Sequence, residues 1–429
     1  MSQVFPSYRA SAYNSRVAST KRADILMLSC SIGSGHMRAS AAVEKGVNLL
    51  DPGRKCLILD FPKEVSPPIE ALLHKVYLDS LKLMPAAYGR IYRMSELQAA
   101  RAGTNNRITD AYERLQRISE LWDAGYDAFT PENASTDRIQ NRRLPLRTLG
   151  RLARETGAKA FIAPHFYGAG VLGNYKKQNP DIFAAVVLTD YVPHPMGVPP
   201  NLDLYVVADE EAAAEVEKLG APPDRIHPTG IPIDPAFEEP SDPAGVRRDL
   251  LGFPDPEEDD LPVVMVMGGG LGGGHLDAVV TSLLEASAAL HLVVLCGSNE
   301  RSRVHLQEIA DNRGRSATFL GFTDQVRDLL AASSVLVTKP GGMSCTEALA
   351  VAIPQVLINP IPGQEEDNAA AMVRYGAAVM TERTQDVLGE TLKILTSSRH
   401  RRSIVESART AHRPHSAEAA ARLVLENLN

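Results

Sequence analysis

Short apolar runs alternate with amphipathic stretches along most of this chain. "ADILMLSC" (23–30) is a nearly continuous apolar run, too short for a typical helix, and predicts a parallel strand covered on both faces. A glycine turn follows, then "HMRASAAVEKGVNLL" at helical spacing, then a second strand, "KCLILDF" (55–61). "KAFIAP" (159–164), "AAVVLTD" (184–190) and "LDLYVVA" (202–208) continue the strands, with helices such as "RTLGRLARETG" (147–157) between them. After "TGIPIDPAFEEPSDPAG" (229–245) the pattern restarts with "LPVVMVMGGGLGGGH" (261–275): strand, glycine turn, helix. "LHLVVLCG" (290–297), "ATFLGF" (317–322), "SVLVTK" (334–339) and "PQVLINP" (354–360) complete the second series. Strand alternating with helix predicts α/β architecture with two doubly wound parallel sheets. The expected layout is an N-terminal domain over 22–235, a proline-rich linker near 232–243, a C-terminal domain over 244–395, and closing helices over 396–429 that return toward the N-terminal domain. The two glycine turns do not match residue by residue, so the duplication is architectural.

Residues 61–145 break this rhythm and predict a helical insertion. Ile69, Leu72, Leu73, Val76, Leu81 and Met84 share one helical face, Pro85 ends or kinks it, and Lys75, Lys82, Arg90 and Arg93 lie nearby. A basic amphipathic helix of this kind either packs on a core or lies in a membrane interface.

Composition narrows the class. A chain of 429 residues needs two or three cores. Its net charge is −7, yet residues 1–150 carry 21 Lys and Arg against 15 Asp and Glu, while the rest carries 24 against 37. A basic first part fits an anionic partner, and chance composition of two domains explains it equally well. Cys30, Cys56, Cys296 and Cys345 form no CxxC pair and fit reduced, buried thiols of a cytoplasmic protein. The first 20 residues hold no apolar core of a secretory signal, and no apolar run reaches the roughly 18 residues of a spanning helix. Any membrane contact is therefore expected to be peripheral.

The candidate chemistry sits at the strand ends. Gly33 and Gly35 in "SCSIGSGHMRAS" (29–40) suit a phosphate-binding turn, and Asp60 could mimic the ribose acid of a dinucleotide site. Arg38, however, stands where that fingerprint needs a small residue. The turn from Gly268 to Gly274 is also too glycine-dense for it. In "TKPGGMSCTEALA" (338–350), Gly341 and Gly342 precede a helix with Ser344 and Thr346 near its start. Its amides suit a diphosphate and Glu347 suits a ribose diol, the plain reading being a helix capped by Ser344. "NPIPGQEEDNAAAMVRYGAAV" (359–379) gathers Gln364, Glu365, Asp367 and Asn368, the paired donors and acceptors that sugar hydroxyls need. Asp190, His194 and His165 lie at other strand ends, and His36 either faces a cleft or caps its own helix.

"GSGH" (33–36), "TDYVPH" (189–194), "TGIPI" (229–233), "TKPGG" (338–342) and "PGQEEDN" (362–368), in this order, resemble the monogalactosyldiacylglycerol synthase and processive diacylglycerol glucosyltransferase family. The resemblance spans about residues 22–385 and is weakest over 97–145. It implies a GT-B fold, two Rossmann-like domains facing an interdomain cleft, and an inverting glycosyltransferase. The implied reaction moves a hexose from a UDP-sugar to a lipid, diacylglycerol above all, in glycolipid synthesis. It further implies that His36 activates the acceptor hydroxyl or contacts the donor phosphates, with Asp190 as a second catalytic candidate. Gly268, Gly269, Phe322, Gly341, Gly342, Ser344, Glu347, Gln364, Glu365 and Asn368 would hold the donor, Phe322 within the "GFTD" loop (321–324) beside the uracil. Gly35, His165 and His194 are the acceptor-side candidates. "PMGVPPN" (195–201) departs from the family pattern, as does His275, which leaves the acceptor less defined than the donor.

No metal motif and no cofactor is expected: the sequence has no DxD motif and no His/Cys/Asp cluster. The expected partners are a UDP-hexose, a diacylglycerol-like lipid and an anionic membrane surface, with no nucleic acid. The expected location is the cytoplasm, peripheral to the inner face of the cell membrane. Two alternatives share the fold: an enzyme like UDP-GlcNAc 2-epimerase, which needs no lipid, and a non-catalytic UDP-sugar-binding protein.

Overall fold

A computed structural model describes residues 22–31, 34–67, 144–253, 261–268 and 276–428. The helical insertion foreseen over 61–145 falls mostly outside these residues, as do Gly33, Gly269 and His275. The described residues divide into two compact units: those within 22–234 with 361–364 and 415–428, and those within 235–360 with 365–414.

The first unit is built on a six-stranded parallel sheet in the order β2-β1-β3-β4-β5-β6. Its strands are β1 (Ile25–Ser29), β2 (Cys56–Asp60), β3 (Ala160–Ala163), β4 (Phe183–Val187), β5 (Leu204–Val206) and β6 (Ile226–His227). β1, β3, β4 and β5 are buried at every residue, which is why they read as continuous apolar runs rather than alternating ones. Strand order reverses between β1 and β3, which pair directly with Ile25 opposite Ala160 and Met27 opposite Ile162. On one face, Ile25, Met27, Ile162 and Val206 pack with Val43 and Val47 of the helix Ser34–Leu50 and with Ala420, Ala421 and Val424 of the last helix, Ser416–Glu426.

The second unit carries six parallel strands in the order β12-β11-β10-β7-β8-β9. These are β7 (Val263–Met267), β8 (His291–Leu295), β9 (Ala317–Leu320), β10 (Val335–Thr338), β11 (Gln355–Ile358) and β12 (Ala378–Thr381). Here the order reverses between β7 and β10. β7 shows the two-residue period of a sheet covered on both sides. Val264 and Val266 enter a core with Val280, Leu283, Val294 and Val337, while Val263, Met265 and Met267 enter another with Leu329, Leu330, Ala348 and Ile353. Ile404, in the helix Ser398–Ala411, belongs to the first of these cores. The closing helices expected over 396–429 are thus divided at Pro414, Ser398–Ala411 grouping with the second unit and Ser416–Glu426 with the first.

Both folding units are Rossmann-like. β6 and β12 are the strands that the apolar pattern did not single out. β6 has two half-buried residues, and β12, "AVMT", leaves Met380 exposed at the sheet edge.

Candidate active site

In a parallel sheet, ligand-binding loops gather beyond the carboxyl ends of the strands, and the widest gap opens where strand order reverses. In the first unit that point lies between β1 and β3. The chain leaving β1 enters the helix Ser34–Leu50, whose third residue is His36. The chain leaving β3 runs through Pro164 and His165 into the helix Phe166–Gln178. The two histidines meet there edge to face, with ring centroids 4.7 Å apart and planes at 72°.

His36 does not cap its helix. Its Nδ1 lies 3.0 Å from the carbonyl oxygen of Pro164 and 3.2 Å from Thr189 Oγ1. A carbonyl only accepts, so Nδ1 carries the proton and Nε2 keeps its lone pair. Burial pulls the His36 pKa down to about 4 against the raising effect of the Pro164 carbonyl. The ring is neutral at physiological pH.

His165 and His194, by contrast, do cap. His165 Nδ1 accepts from Tyr167 N–H at 3.3 Å, so its proton sits on Nε2. Burial and the neighbouring His36 hold its pKa well below the usual histidine value. His194 Nδ1 accepts from Met196 N–H at 3.2 Å and caps the 3-10 turn Pro195–Gly197, and burial lowers its pKa to about 4. Phe166, next to His165, is 46% exposed, a large apolar surface at the same sheet end that the sequence reading did not mark. Gly168 lets this helix approach the sheet, since a Cβ there would stand 2.8 Å from the carbonyl oxygen of Leu28. Asp60 is engaged elsewhere, accepting from Ser31 N–H at 3.4 Å and pairing with Lys63 at 3.0 Å.

Thr189 and Asp190 follow β4. Thr189 is buried, with its hydroxyl on His36; Asp190 is half-buried. The turn 361–364 groups with this unit, and in it Gln364 Nε2 donates a hydrogen bond to the Asp190 carboxylate. Thus the structure brings together His36, His165 and Thr189, and separately Asp190 and Gln364. Gly35 is half-buried in the first turn of the His36 helix.

In the second unit, strand order reverses between β7 and β10. Thr338 Oγ1 at the end of β10 donates to the Met267 carbonyl at the end of β7, 3.2 Å away, and ties the two strands together there. Gly268 follows β7, half-buried. After β10 comes the helix Gly342–Ala350, and its N-cap is Gly341, with no side-chain cap. Ser344, expected as a possible cap, is instead the third helical residue. The first helical hydrogen bond runs from Cys345 N–H to Gly341 C=O at 2.9 Å, so the N–H groups of Gly342, Met343 and Ser344 precede the ladder. Among the described residues, a Cβ built on Gly341 meets nothing within 4 Å. A helix start without a side-chain cap suits an anion.

Glu347 lies one turn further along this helix and is only 2% exposed. Gly363 takes a φ of 91°, a left-handed conformation suited to glycine, before the helix Gln364–Arg374. Glu365, Glu366 and Asp367 occupy that helix's first turn, where the dipole favours acids, and Asn368 is fully buried. Phe322 lies beyond β9 and is 62% exposed, unusual for a large apolar ring. The donor-side candidates with described positions therefore follow β7, β9, β10 or β11, all at the carboxyl end of the sheet. Among the described residues, no group of three or more His, Cys, Asp or Glu side chains is placed to hold a metal ion.

Two sequence families match this arrangement. Residues 96–233 match the profile described as monogalactosyldiacylglycerol (MGDG) synthase, and residues 263–423 match the glycosyltransferase family 28 C-terminal domain. Each match covers less than half of the chain, and together they make it similar to the glycosyltransferases of this group. Among its relatives, a processive diacylglycerol beta-glucosyltransferase of Bacillus pumilus (strain SAFR-032) is 29% identical over 232 residues, covering 54% of this chain and 59% of the relative. The protein of the same description from Staphylococcus carnosus (strain TM300) is 26% identical over 372 residues, covering 86% of this chain and 84% of its own. In the Bacillus relatives the matched segment spans less than two thirds of their length. Among solved structures, Acinetobacter baumannii MurG superposes with a TM-score of 0.58 at 15% identity, covering 94% of this chain and 99% of that one. This likeness shows the fold of the chain, GT-B.

Proposed function

We propose that this chain is an inverting hexosyltransferase that moves a hexose from a UDP-sugar to the hydroxyl of a lipid, with diacylglycerol as the acceptor. The observation that carries this reading is His36, a neutral histidine whose Nδ1–H is bound and whose Nε2 lone pair remains at the reversal point of the first sheet. The names of the relatives, processive diacylglycerol beta-glucosyltransferases, support the substrate classes.

In this mechanism His36 Nε2 accepts the proton of the lipid hydroxyl as its oxygen bonds to the anomeric carbon. The bond from that carbon to the diphosphate oxygen breaks with inversion, and UDP departs with the electron pair. The N–H groups of Gly342, Met343 and Ser344 stabilise the charge developing on the diphosphate. Glu347 takes the ribose hydroxyls, Phe322 lies against the uracil, and Gln364, Glu365 and Asn368 hold the sugar. Asp190 accepts a hydrogen bond from Gln364 and orients its side-chain amide. His165 and His194 line the acceptor side.

The same reading puts the chain at the membrane surface without crossing it. No helix among the described residues is long and apolar enough to span a bilayer. A diacylglycerol chain resists leaving the bilayer by about 0.8 kcal/mol per exposed CH₂, so the enzyme must come to the lipid. We place it peripherally on an anionic membrane, at the cytoplasmic face. The deciding experiment incubates the protein with individual radiolabelled UDP-hexoses and diacylglycerol vesicles. Label in the lipid phase is the expected result. Label only in water-soluble products overturns the transferase reading.

A further inference from the structure

We infer that Thr189 is a positioning residue for His36, its hydroxyl acting with the Pro164 carbonyl to fix the imidazole as the Nδ1–H tautomer. In the motif "TDYVPH" the sequence marks Asp190 and His194, both half-buried. The structure points to the threonine instead. Thr189 is 6% exposed, and Oγ1 stands 3.2 Å from His36 Nδ1, 153 residues away in sequence. Pro164 O stands 3.0 Å from the same nitrogen, 128 residues away. Three parallel strands, β1, β3 and β4, each deliver one partner at neighbouring carboxyl ends.

Two oxygens on one nitrogen have a clear electrostatic sense. The carbonyl can only accept, so Nδ1 is the donor and the threonine oxygen is its second acceptor. The carbonyl selects the tautomer that leaves Nε2 unprotonated, the hydroxyl accepts from the same N–H, and both oxygens stabilise the imidazolium formed when Nε2 takes a proton. A carboxylate in this place would do the same with a full charge and would raise the histidine pKa strongly. Two neutral oxygens orient the ring while leaving it neutral. The restraint also fixes the ring plane, because Nδ1 cannot rotate away from either oxygen without losing a buried hydrogen bond.

This inference rests on the proposal that His36 is the base, and the two are separable by experiment. Thr189→Val keeps the side chain's shape and removes the oxygen; Thr189→Ser restores it. Long-range ¹H–¹⁵N correlation of the imidazole reports the tautomer directly, with or without turnover. The wild type and Thr189→Ser should share one Nδ1–H signature, and Thr189→Val should keep the proton on Nδ1, held by the Pro164 carbonyl, with that signature shifted. In transfer assays Thr189→Val should lower kcat about tenfold, the worth of one hydrogen bond, with KM for the UDP-hexose unchanged, and Thr189→Ser should recover most of it. His36 protonated at Nε2 in the wild type overturns the inference, and so does a Thr189→Val protein with either signature or kcat at the wild-type level. Unchanged turnover in His36→Ala removes the base assignment. In that case the imidazole spectrum alone decides the role of Thr189.

Discussion

His36 and His165 face each other across the β1/β3 reversal with opposite tautomers: His36 is protonated at Nδ1 and His165 at Nε2. Each Nδ1 is committed to a backbone group, one as donor and one as acceptor. A neutral pair of this kind can stand at 4.7 Å without charge repulsion. Its price is that neither ring can be protonated cheaply, which gives the site a distinctive dependence on pH.

The activity should show it first. His36 is the base form above its folded pKa of about 4 and loses that form only as pH falls through this value. The acid limb of kcat/KM should therefore lie near pH 4, with no inflection near 6.5, the value of an exposed histidine. A profile over pH 4–8, with His36→Ala as baseline, checks this. A limb at 6.5 that is absent from the variant would contradict the assignment.

Stability should follow the same groups. His36, His165 and His194 all have lowered folded pKa values through burial. The unfolded chain takes up a proton at each as pH falls below about 6.5 while the folded chain does not. The stabilisation is thus complete above 6.5 and is lost progressively toward pH 4, by about 1.4 kcal/mol per pH unit for each histidine. Urea unfolding at pH 7.5 and 5.5 should show the decline, and His36→Asn should reduce its slope by one proton.

On the donor side, Glu347 and Gln364 should separate. Removing a charged acceptor of the ribose hydroxyls costs about 1.5–3 kcal/mol, so Glu347→Ala should weaken UDP binding roughly ten- to a hundredfold. Gln364→Ala should weaken binding of the UDP-sugar and leave UDP alone nearly unaffected. Calorimetric titration with both ligands checks the pair; full UDP affinity in Glu347→Ala would remove the ribose role.

Packing of the last helix gives a test independent of chemistry. A Cβ on Gly46 would collide with the backbone carbonyl of Ala417, where the helices Ser34–Leu50 and Ser416–Glu426 cross. Gly46→Ala should destabilise the first unit by about 1–3 kcal/mol, because backbone cannot yield as a flexible side chain can. Denaturant midpoints measure it.

The membrane proposal is tested outside the described residues. Lys75, Lys82, Arg90 and Arg93 flank the apolar face read from sequence. Basic residues near an anionic surface contribute about 1 kcal/mol each, and salt screens them. Wild-type protein should co-sediment with anionic vesicles more than with neutral ones and release as salt rises. Changing all four to Glu should abolish this with UDP affinity intact. Sedimentation indifferent to lipid charge would count against the anionic surface.

By itself the sequence determined the strands and their class. A fully covered parallel strand is apolar at nearly every position, so "ILMLS", "AFIA" and "VVMVM" carry their fate locally. The restart of the strand–turn–helix pattern near 261 likewise marked a second sheet, and the ordered motifs marked the family. Edge strands escaped because β6 has only two residues and β12 is half solvated. Only the tertiary structure decided which strand lies beside which, and hence which loops share a sheet end. Order within a sheet comes from packing among segments far apart in the chain, and no local pattern records it. That order sets Thr189 and Pro164 on one nitrogen of His36. The caps at His165 and His194 are local, each reaching only two residues along the chain. The two contacts of His36 cross 128 and 153 residues, more than any motif spans, so the residue types were visible in the chain while their meeting awaited the fold.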